Sequence, residues 1–207
     1  MAQTLPYRIA SCVLMTAGLA VNAQAAVIPL DSKETYLRTN TDPGALTAIA
    51  IELSSLGLIA GDTIGLTRLG DFDCGSPCTD SNVGMMAVFS ATNVVLAGSL
   101  AHRVPGAIDA GSDFVTAVTY YGALPTDIPE DFGVTGTGVN VKIPTGATYL
   151  FITARDILYQ DNTDPDLDFG VSIEQIAVPV PVPEPAMVLL LVPGVVAVAR
   201  RLMVLRV

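Results

Sequence analysis

The chain has no tryptophan, one histidine, and only 10 lysines and arginines against 20 carboxylates in 207 residues. With His102 alone, the paired-histidine zinc motif of metalloproteases is excluded, and the sequence contains neither a G-x-S-x-G nucleophile elbow nor a phosphate-binding P-loop. An acidic surface repels nucleic acid and anionic lipid. We therefore expect neither an enzyme nor a nucleic-acid partner, although paired carboxylates of the glycosidase kind stay an alternative.

Residues 1–25 have the three parts of a secretory signal peptide. Arg8 supplies a positive charge, Ile9 to Val21 an apolar region, and Ala23 to Ala25 an A-x-A cleavage site. The mature chain is expected to begin near Ala26. Cys12 belongs to a lipoprotein-like box, but the box precedes most of the apolar region, so lipidation is not expected. Residues 26–182 hold 6 cations and 19 carboxylates, a net charge of −13, which suits an exported protein that can concentrate divalent cations.

The two other cysteines, Cys74 and Cys78, lie in a turn-rich segment. In an oxidising envelope compartment such a pair favours a small local disulfide. A C-x3-C pair could instead bind zinc, but the sequence offers no second pair of ligands of that type.

The C-terminal region has three parts in a fixed order: Pro183-Glu184-Pro185, the apolar stretch Ala186 to Val204, and arginines at 200, 201 and 206. The apolar stretch is about long enough to cross a bilayer as a helix, and the arginines fit the positive-inside rule. This order resembles the PEP-CTERM sorting signal of bacterial surface proteins. The resemblance implies a proline-rich linker over 178–185, a transmembrane helix with a basic tail over 186–207, and removal of this temporary anchor by an exosortase. An ordinary tail anchor with a proline-rich stalk is the alternative.

Between these segments, short apolar and β-branched runs alternate with turn signals, which is typical of an all-β domain. We predict a β-sandwich over residues 26–177, with helix confined to the two ends of the chain. The predicted strands are Thr47 to Leu53, Thr63 to Leu69, Val83 to Ser90, Val115 to Tyr121, Val139 to Ile143, Tyr149 to Ala154 and Phe169 to Ile176.

An acidic segment separates the last two predicted strands. Between Asp156 and Asp168, 13 residues carry six side-chain oxygen ligands, five of them carboxylates. Like charges at this density repel one another and raise pKa values, whereas a hard cation such as Ca²⁺ binds six to eight oxygen ligands. The segment is not an EF-hand, because its glycine and its twelfth residue, Gln175, do not fit that loop. The alternatives are a calcium loop and a solvated acidic hairpin tip.

The order of residues in this segment resembles the calcium loop of PA-I-type galactose-binding lectins: a strand ending Tyr149-Leu150-Phe151-Ile152, then Asp156, Tyr159 and Asp161-Asn162, and a returning strand from Phe169. The resemblance extends weakly over residues 45–176 and implies a galactose-binding, jelly-roll-like sandwich. It implies calcium ligation by side chains of Asp156, Asp161 and Asn162 and by a carbonyl of Tyr159 or Gln160, with a weaker match for a carbonyl of Asp71 to Cys74. Asp156 and Asn162 would also contact the sugar.

Two departures weaken the sugar-binding part of this resemblance. Thr163 to Asp168 lengthens the loop, and the cysteine-bearing loop Asp71 to Ser81 replaces an aromatic-rich segment of the lectins. Without tryptophan, a sugar would have to stack on one of the remaining aromatic residues, Phe72, Tyr120, Tyr121 or Tyr159.

We therefore expect a protein exported to the cell surface or the extracellular matrix, transiently anchored in the inner membrane, that binds carbohydrate or exopolysaccharide with calcium. A structural surface or biofilm matrix protein that uses calcium for stability alone is the alternative.

Overall fold

The computed structural model describes residues 25–39, 42–76, 79–111, 120–121, 124–125 and 128–177. These residues form strands, joined mostly by antiparallel pairing, and one 3-10 helix, Leu53–Leu56. The strands are β1 (Ala26–Pro29), β2 (Glu34–Thr35), β3 (Leu46–Thr47), β4 (Ile51–Glu52), β5 (Thr63–Leu69), β6 (Met85–Ser90), β7 (Ala107–Ile108), β8 (Tyr120–Tyr121), β9 (Leu124–Pro125), β10 (Phe132–Gly133), β11 (Val139–Lys142), β12 (Tyr149–Ala154) and β13 (Gly170–Gln175).

The first sheet has four antiparallel strands in the order β1-β13-β5-β11. Strands β13 and β5 pair along six residues, from Gly170 opposite Leu69 to Gln175 opposite Ile64. Strand β1 covers the outer edge of β13, where Pro29 lies opposite Gly170. A proline is tolerated there because β1 is an edge strand whose last residue has no need to donate to a further strand.

The second sheet has the order β10-β6-β12-β4, with β7 also paired to β6. All six residues of β6 are buried. Its partner β12 is almost as apolar, and the two strands pair from Tyr149 opposite Ser90 to Ala154 opposite Met85. A strand that is buried on both faces reads as a continuous apolar run, which is why these two were recognisable in the sequence. Two further sheets have two strands each: β2 pairs with β3 in parallel, and β8 pairs with β9 antiparallel.

The prediction of an all-β fold is confirmed. Strands β5 and β12 have the predicted bounds, and β6, β11 and β13 differ from them by one or two residues at an end. The predicted strand from Thr47 to Leu53 was wrong: β3 ends at Thr47, β4 spans Ile51–Glu52, and the 3-10 helix follows. Of the predicted strand from Val115 to Tyr121, only β8 lies within the described residues.

The chain divides into two units, Met1–Ile176 and Ala177–Val207. Within the described residues, no helix is long and apolar enough to cross a membrane. The predicted signal peptide, the Pro-Glu-Pro motif and the C-terminal helix lie outside the described residues.

Candidate functional site

Two loops cross from one sheet to the other at the same end of the domain. Gly70 to Gly84 leads from β5 to β6, and Arg155 to Phe169, the acidic loop, leads from β12 to β13. The loops contact each other along the crossing, where Asp73 and Thr163 form a two-way backbone bridge of 2.8 and 2.9 Å. Because β12 and β13 belong to different sheets, the acidic loop is an inter-sheet crossing and not the tip of a hairpin. A solvated acidic loop stays the alternative to a calcium loop.

A third segment, which includes Asp42 and Gly44, packs against the acidic loop. Asp42 is buried, and its carboxylate accepts the backbone N–H groups of Tyr159 and of Gln160 (3.1 Å to the latter). The packing is close, since a Cβ on Gly44 would lie 2.4 Å from the Cβ of Gln160. Asp42 thus fixes the turn between Asp156 and Asn162. Its spacing of more than a hundred residues from that turn left no signal in the sequence.

Asn162 is the most deeply buried of the predicted ligands, with 0% of its surface exposed. Its Nδ2 donates to the carbonyl of Ser32 at 2.8 Å, which settles the orientation of the amide, because the opposite orientation would place oxygen against oxygen. Its Oδ1 is buried and has no hydrogen-bond partner among the described residues. Buried amide oxygens almost always have a partner, so this atom marks a position where a donor or a cation belongs.

Asp156 provides a second such atom. Its Oδ1 accepts the backbone N–H of Ile157 at 2.6 Å, while its Oδ2 is buried and without a hydrogen-bond partner in the described part of the chain. Burial raises the pKa of this carboxyl, the Asp161 carboxylate raises it further, and backbone N–H groups and the nearby Asn162 side chain oppose the rise. Asp156, Asp161 and Asn162 are therefore neighbours, and two of their oxygens lack hydrogen bonds.

Asp161 connects this group to the cysteine-bearing loop. Gly75 has a φ of 77°, and a Cβ at that position would lie 2.3 Å from Asp161 Oδ2. The carboxylate therefore rests on the glycine backbone. The neighbouring Cys74 is disulfide-bonded, but its partner lies outside the described residues, so pairing with Cys78 stays a prediction.

A second acidic cluster lies on the outer part of the same two loops. Asp80, Asp164 and Asp166 each offer a carboxylate oxygen within 4.8 Å of the others. Burial raises the pKa of Asp80, and the other carboxylates of the cluster raise it further. Asp164 already accepts the N–H groups of Asp168 and Phe169, at 3.3 and 3.2 Å. Asp80 and Asp164 are half-buried and Asp166 is exposed, and the buried Oδ1 of Asp80 has no hydrogen-bond partner among the described residues.

The remaining predicted residues have structural roles in this arrangement. The Tyr159 carbonyl accepts the N–H of Asn162 at 3.2 Å, and its hydroxyl donates to the carbonyl of Ala154. Tyr159 and Phe72 are 1% and 0% exposed, so the prediction that either ring could stack on a sugar was wrong. Both rings belong to the hydrophobic core cluster, and Phe72 contacts the ring of Phe169. The side chains of Tyr120 and Tyr121 lie outside the described residues.

The predicted group Asp156, Asp161 and Asn162 is thus brought together at the junction of three segments that are distant in the sequence. No protein-family model, no curated protein and no solved structure matches the chain.

Proposed function

We propose that this chain is an exported, exosortase-sorted surface or matrix protein that binds carbohydrate through a calcium ion held by Asp156, Asp161 and Asn162. One observation carries the proposal: the buried Oδ2 of Asp156 and the buried Oδ1 of Asn162 lack hydrogen-bond partners among the described residues. Leaving a buried acceptor without a partner costs about 1–3 kcal/mol, and more for a charged group. A cation between them would satisfy both atoms.

The chemistry of the group favours a hard cation. Its side-chain atoms are carboxylate and amide oxygens, the ligands that calcium prefers. Zinc is disfavoured because it prefers histidine and cysteine: His102 pairs instead with Glu130 at 3.0 Å, and Cys74 is in a disulfide. The ligands lie on an irregular loop, and calcium tolerates an irregular coordination geometry better than magnesium does. The loop therefore favours calcium over magnesium.

The proposed overall form is a β-sandwich of the galactose-binding, jelly-roll-like kind, in which the two sheets pack face to face. In support, one hydrophobic cluster draws from both sheets, for example Leu66 and Val171 from the first and Val88 and Phe151 from the second. An inter-sheet crossing loop at the end of such a sandwich is a common position for binding residues, because a rigid scaffold holds the loop.

Two features of the loop end support the proposal of carbohydrate binding. Asp161 is exposed, and Asn162 borders an open cavity. A calcium ion with three side-chain ligands and one or two carbonyl ligands keeps positions for outside oxygens, and vicinal sugar hydroxyls are suitable ligands for them.

The strand register is compatible with presentation from a membrane anchor. Strand β1 begins at Ala26, directly after the predicted cleavage site, and lies beside the last residues of β13, whereas the acidic loop ends where β13 begins. The N-terminal end of β1 and the C-terminal end of β13 therefore lie at one end of the first sheet, and the acidic loop lies at the other.

The test of carbohydrate binding is retention of the mature protein on a galactose or exopolysaccharide resin in calcium and in EDTA. We expect retention in calcium alone, loss of retention for Asp156→Asn, and retention for the control Asp166→Asn in the outer cluster. A wild-type protein whose melting temperature rises with calcium but which neither resin retains would contradict carbohydrate binding. It would leave calcium with a structural role.

The test of sorting is replacement of Pro183-Glu184-Pro185 by alanines in the full chain. The apolar helix should still insert while the processing enzyme loses its motif, so the variant should accumulate as an unprocessed, membrane-held form. Mature protein of unchanged mass and amount would contradict exosortase sorting.

A further inference from the structure

A cavity of about 500 Å³ opens beside Asn162. One wall is the segment that follows β1, including Leu30, Asp31 and Lys33, and the other is the acidic loop, including Leu167. Its volume is within the range of small-molecule binding sites, about 300–1,000 Å³. Of the proposed ion ligands, Asn162 lines this cavity, whereas Asp156 and Asp161 do not.

The charged side chains of this cavity differ in whether they already form hydrogen bonds or ion pairs within the protein. Asp31 accepts the backbone N–H of Lys33 at 2.9 Å through its Oδ1, and both oxygens of Asp164 accept backbone N–H groups of the acidic loop. The ammonium group of Lys33 makes no ion pair with any described residue. Backbone hydrogen bonds thus engage three of the four oxygens of these two carboxylates, while the ammonium group of Lys33 stays available for an anionic group.

Leu167 gives the cavity an apolar rim with unusual geometry. It is the one residue other than glycine, among those described, with a positive φ, 61°, and 83% of its surface is exposed. An L-residue with a large side chain rarely adopts this conformation. Strained residues of this kind cluster at ligand-binding positions. An exposed leucine there offers an apolar surface for the C–H face of a sugar ring.

We propose that this cavity is a subsite for an acidic sugar residue, whose carboxylate pairs with Lys33 and whose ring contacts Leu167, beside the ion at Asn162. The inference rests on the proposed function, because it names the class of carbohydrate that the ion site would take. Lys33 provides the one positive charge of the lining, beside the carboxylates of Asp31 and Asp164. It could pair with the carboxylate of a uronate-containing polysaccharide, and a neutral sugar would leave its ammonium group unused.

The test compares the affinities of D-galacturonic acid and D-galactose, which differ at C6, for the mature protein in excess calcium at fixed ionic strength. We expect the acid to bind more tightly, by on the order of fivefold, as for a partly exposed charge pair. Lys33→Gln should remove this preference and leave galactose binding and the calcium-dependent melting shift unchanged. The control is Lys142→Gln: Lys142 is exposed and pairs with Thr63 at the opposite end of the first sheet, so the preference should stay.

A second variant tests the apolar rim. Leu167→Asn removes the apolar side chain and places at that φ a residue that tolerates it, so both sugars should bind more weakly without a fall in melting temperature. Equal binding of the two sugars to the wild type, or an unchanged preference in Lys33→Gln, would contradict the subsite and leave the proposed function standing. Failure of both sugars to bind in calcium would contradict the proposed function itself.

Discussion

Replacing Asp156 by asparagine should have opposite effects on stability with and without calcium. In the ion-free protein, burial raises the pKa of Asp156 above its ordinary value of 3.8, so the folded state binds this proton more tightly than the unfolded state does. Between 3.8 and the raised pKa, the folded state therefore carries more protons, and its free energy of unfolding falls as pH rises. Asparagine has nearly the shape of the protonated side chain and does not titrate. Ion-free Asp156→Asn should therefore be more stable than the ion-free wild type at pH 7.

The size of this effect follows from linkage. Each unit by which the folded-state pKa exceeds the unfolded value corresponds to at most about 1.4 kcal/mol of stability, because solvent screens a partly exposed group. This stability is present at low pH and lost by the time the pH exceeds the folded pKa. Burial also raises the pKa of Glu34. The wild type without calcium should therefore lose stability from about pH 4 upwards, and the variant should lose less.

In calcium, the wild type should be more stable than Asp156→Asn. An ion that binds only the folded state stabilises it by about 2.7 kcal/mol at a concentration one hundredfold above its dissociation constant, which is about 5–10 °C in melting temperature for a domain of this size. Because the ion needs the ionised carboxylate, the calcium-dependent shift should shrink as the pH falls towards 4. Asp156→Asn should show no such shift at any pH.

The assay is thermal unfolding of the mature wild type, Asp156→Asn and the control Asp166→Asn, in EDTA and in calcium, from pH 4 to pH 8. The control alters an exposed carboxylate in the outer cluster and should keep most of the calcium-dependent shift. If Asp156→Asn is less stable than the wild type in EDTA at pH 7, or if it keeps the calcium shift, the assignment of Asp156 is wrong.

Three further predictions concern the supports of the ion site. Asp42→Ala leaves the N–H groups of the 159–160 turn without their acceptor, so it should lower the free energy of unfolding by about 2–3 kcal/mol and weaken calcium binding. The free energy is measured by chemical unfolding. The control is Asp109→Ala, which removes an exposed acceptor of a single N–H group. Gly75→Ala introduces a Cβ that would meet the Asp161 carboxylate, so calcium affinity measured by titration should fall, whereas Gly57→Ala, also at a positive φ but with open space around it, should not affect it. Thiol titration of the unreduced mature protein should find no free thiol, and its mass should rise by about two hydrogens on reduction; one or two reactive thiols per chain would contradict the local disulfide.

The sequence predicted the positions of strands that are buried along most of their length. Strands β6 and β12 show as apolar runs bounded by turn residues, and their bounds could be predicted to within two residues. Strand β1 was missed because it is a four-residue edge strand with a half-exposed pattern, which directly follows the predicted signal peptide. The stretch from Thr47 to Glu52 has the composition of a strand, but its chain is divided between two short pairings, β3 with β2 and β4 with β12.

For the candidate site, the local part was predictable and the long-range part was not. Asp156, Asp161 and Asn162 lie within seven residues, so their density indicated a common role. The contributions of Asp42, Ser32 and Gly75 depend on how the two sheets bring separate loops to one end of the domain. A single sequence carries no periodic or compositional signal for such contacts.

The most direct test of the central claim is a calcium titration of the mature wild-type protein at pH 7 after treatment with EDTA, followed by its melting temperature. If Asp156 and Asn162 hold a calcium ion, the melting temperature should rise by about 5–10 °C as calcium exceeds its dissociation constant one hundredfold, and magnesium should give much less. Identical melting curves in EDTA and in millimolar calcium would contradict the ion site and the carbohydrate binding that depends on it.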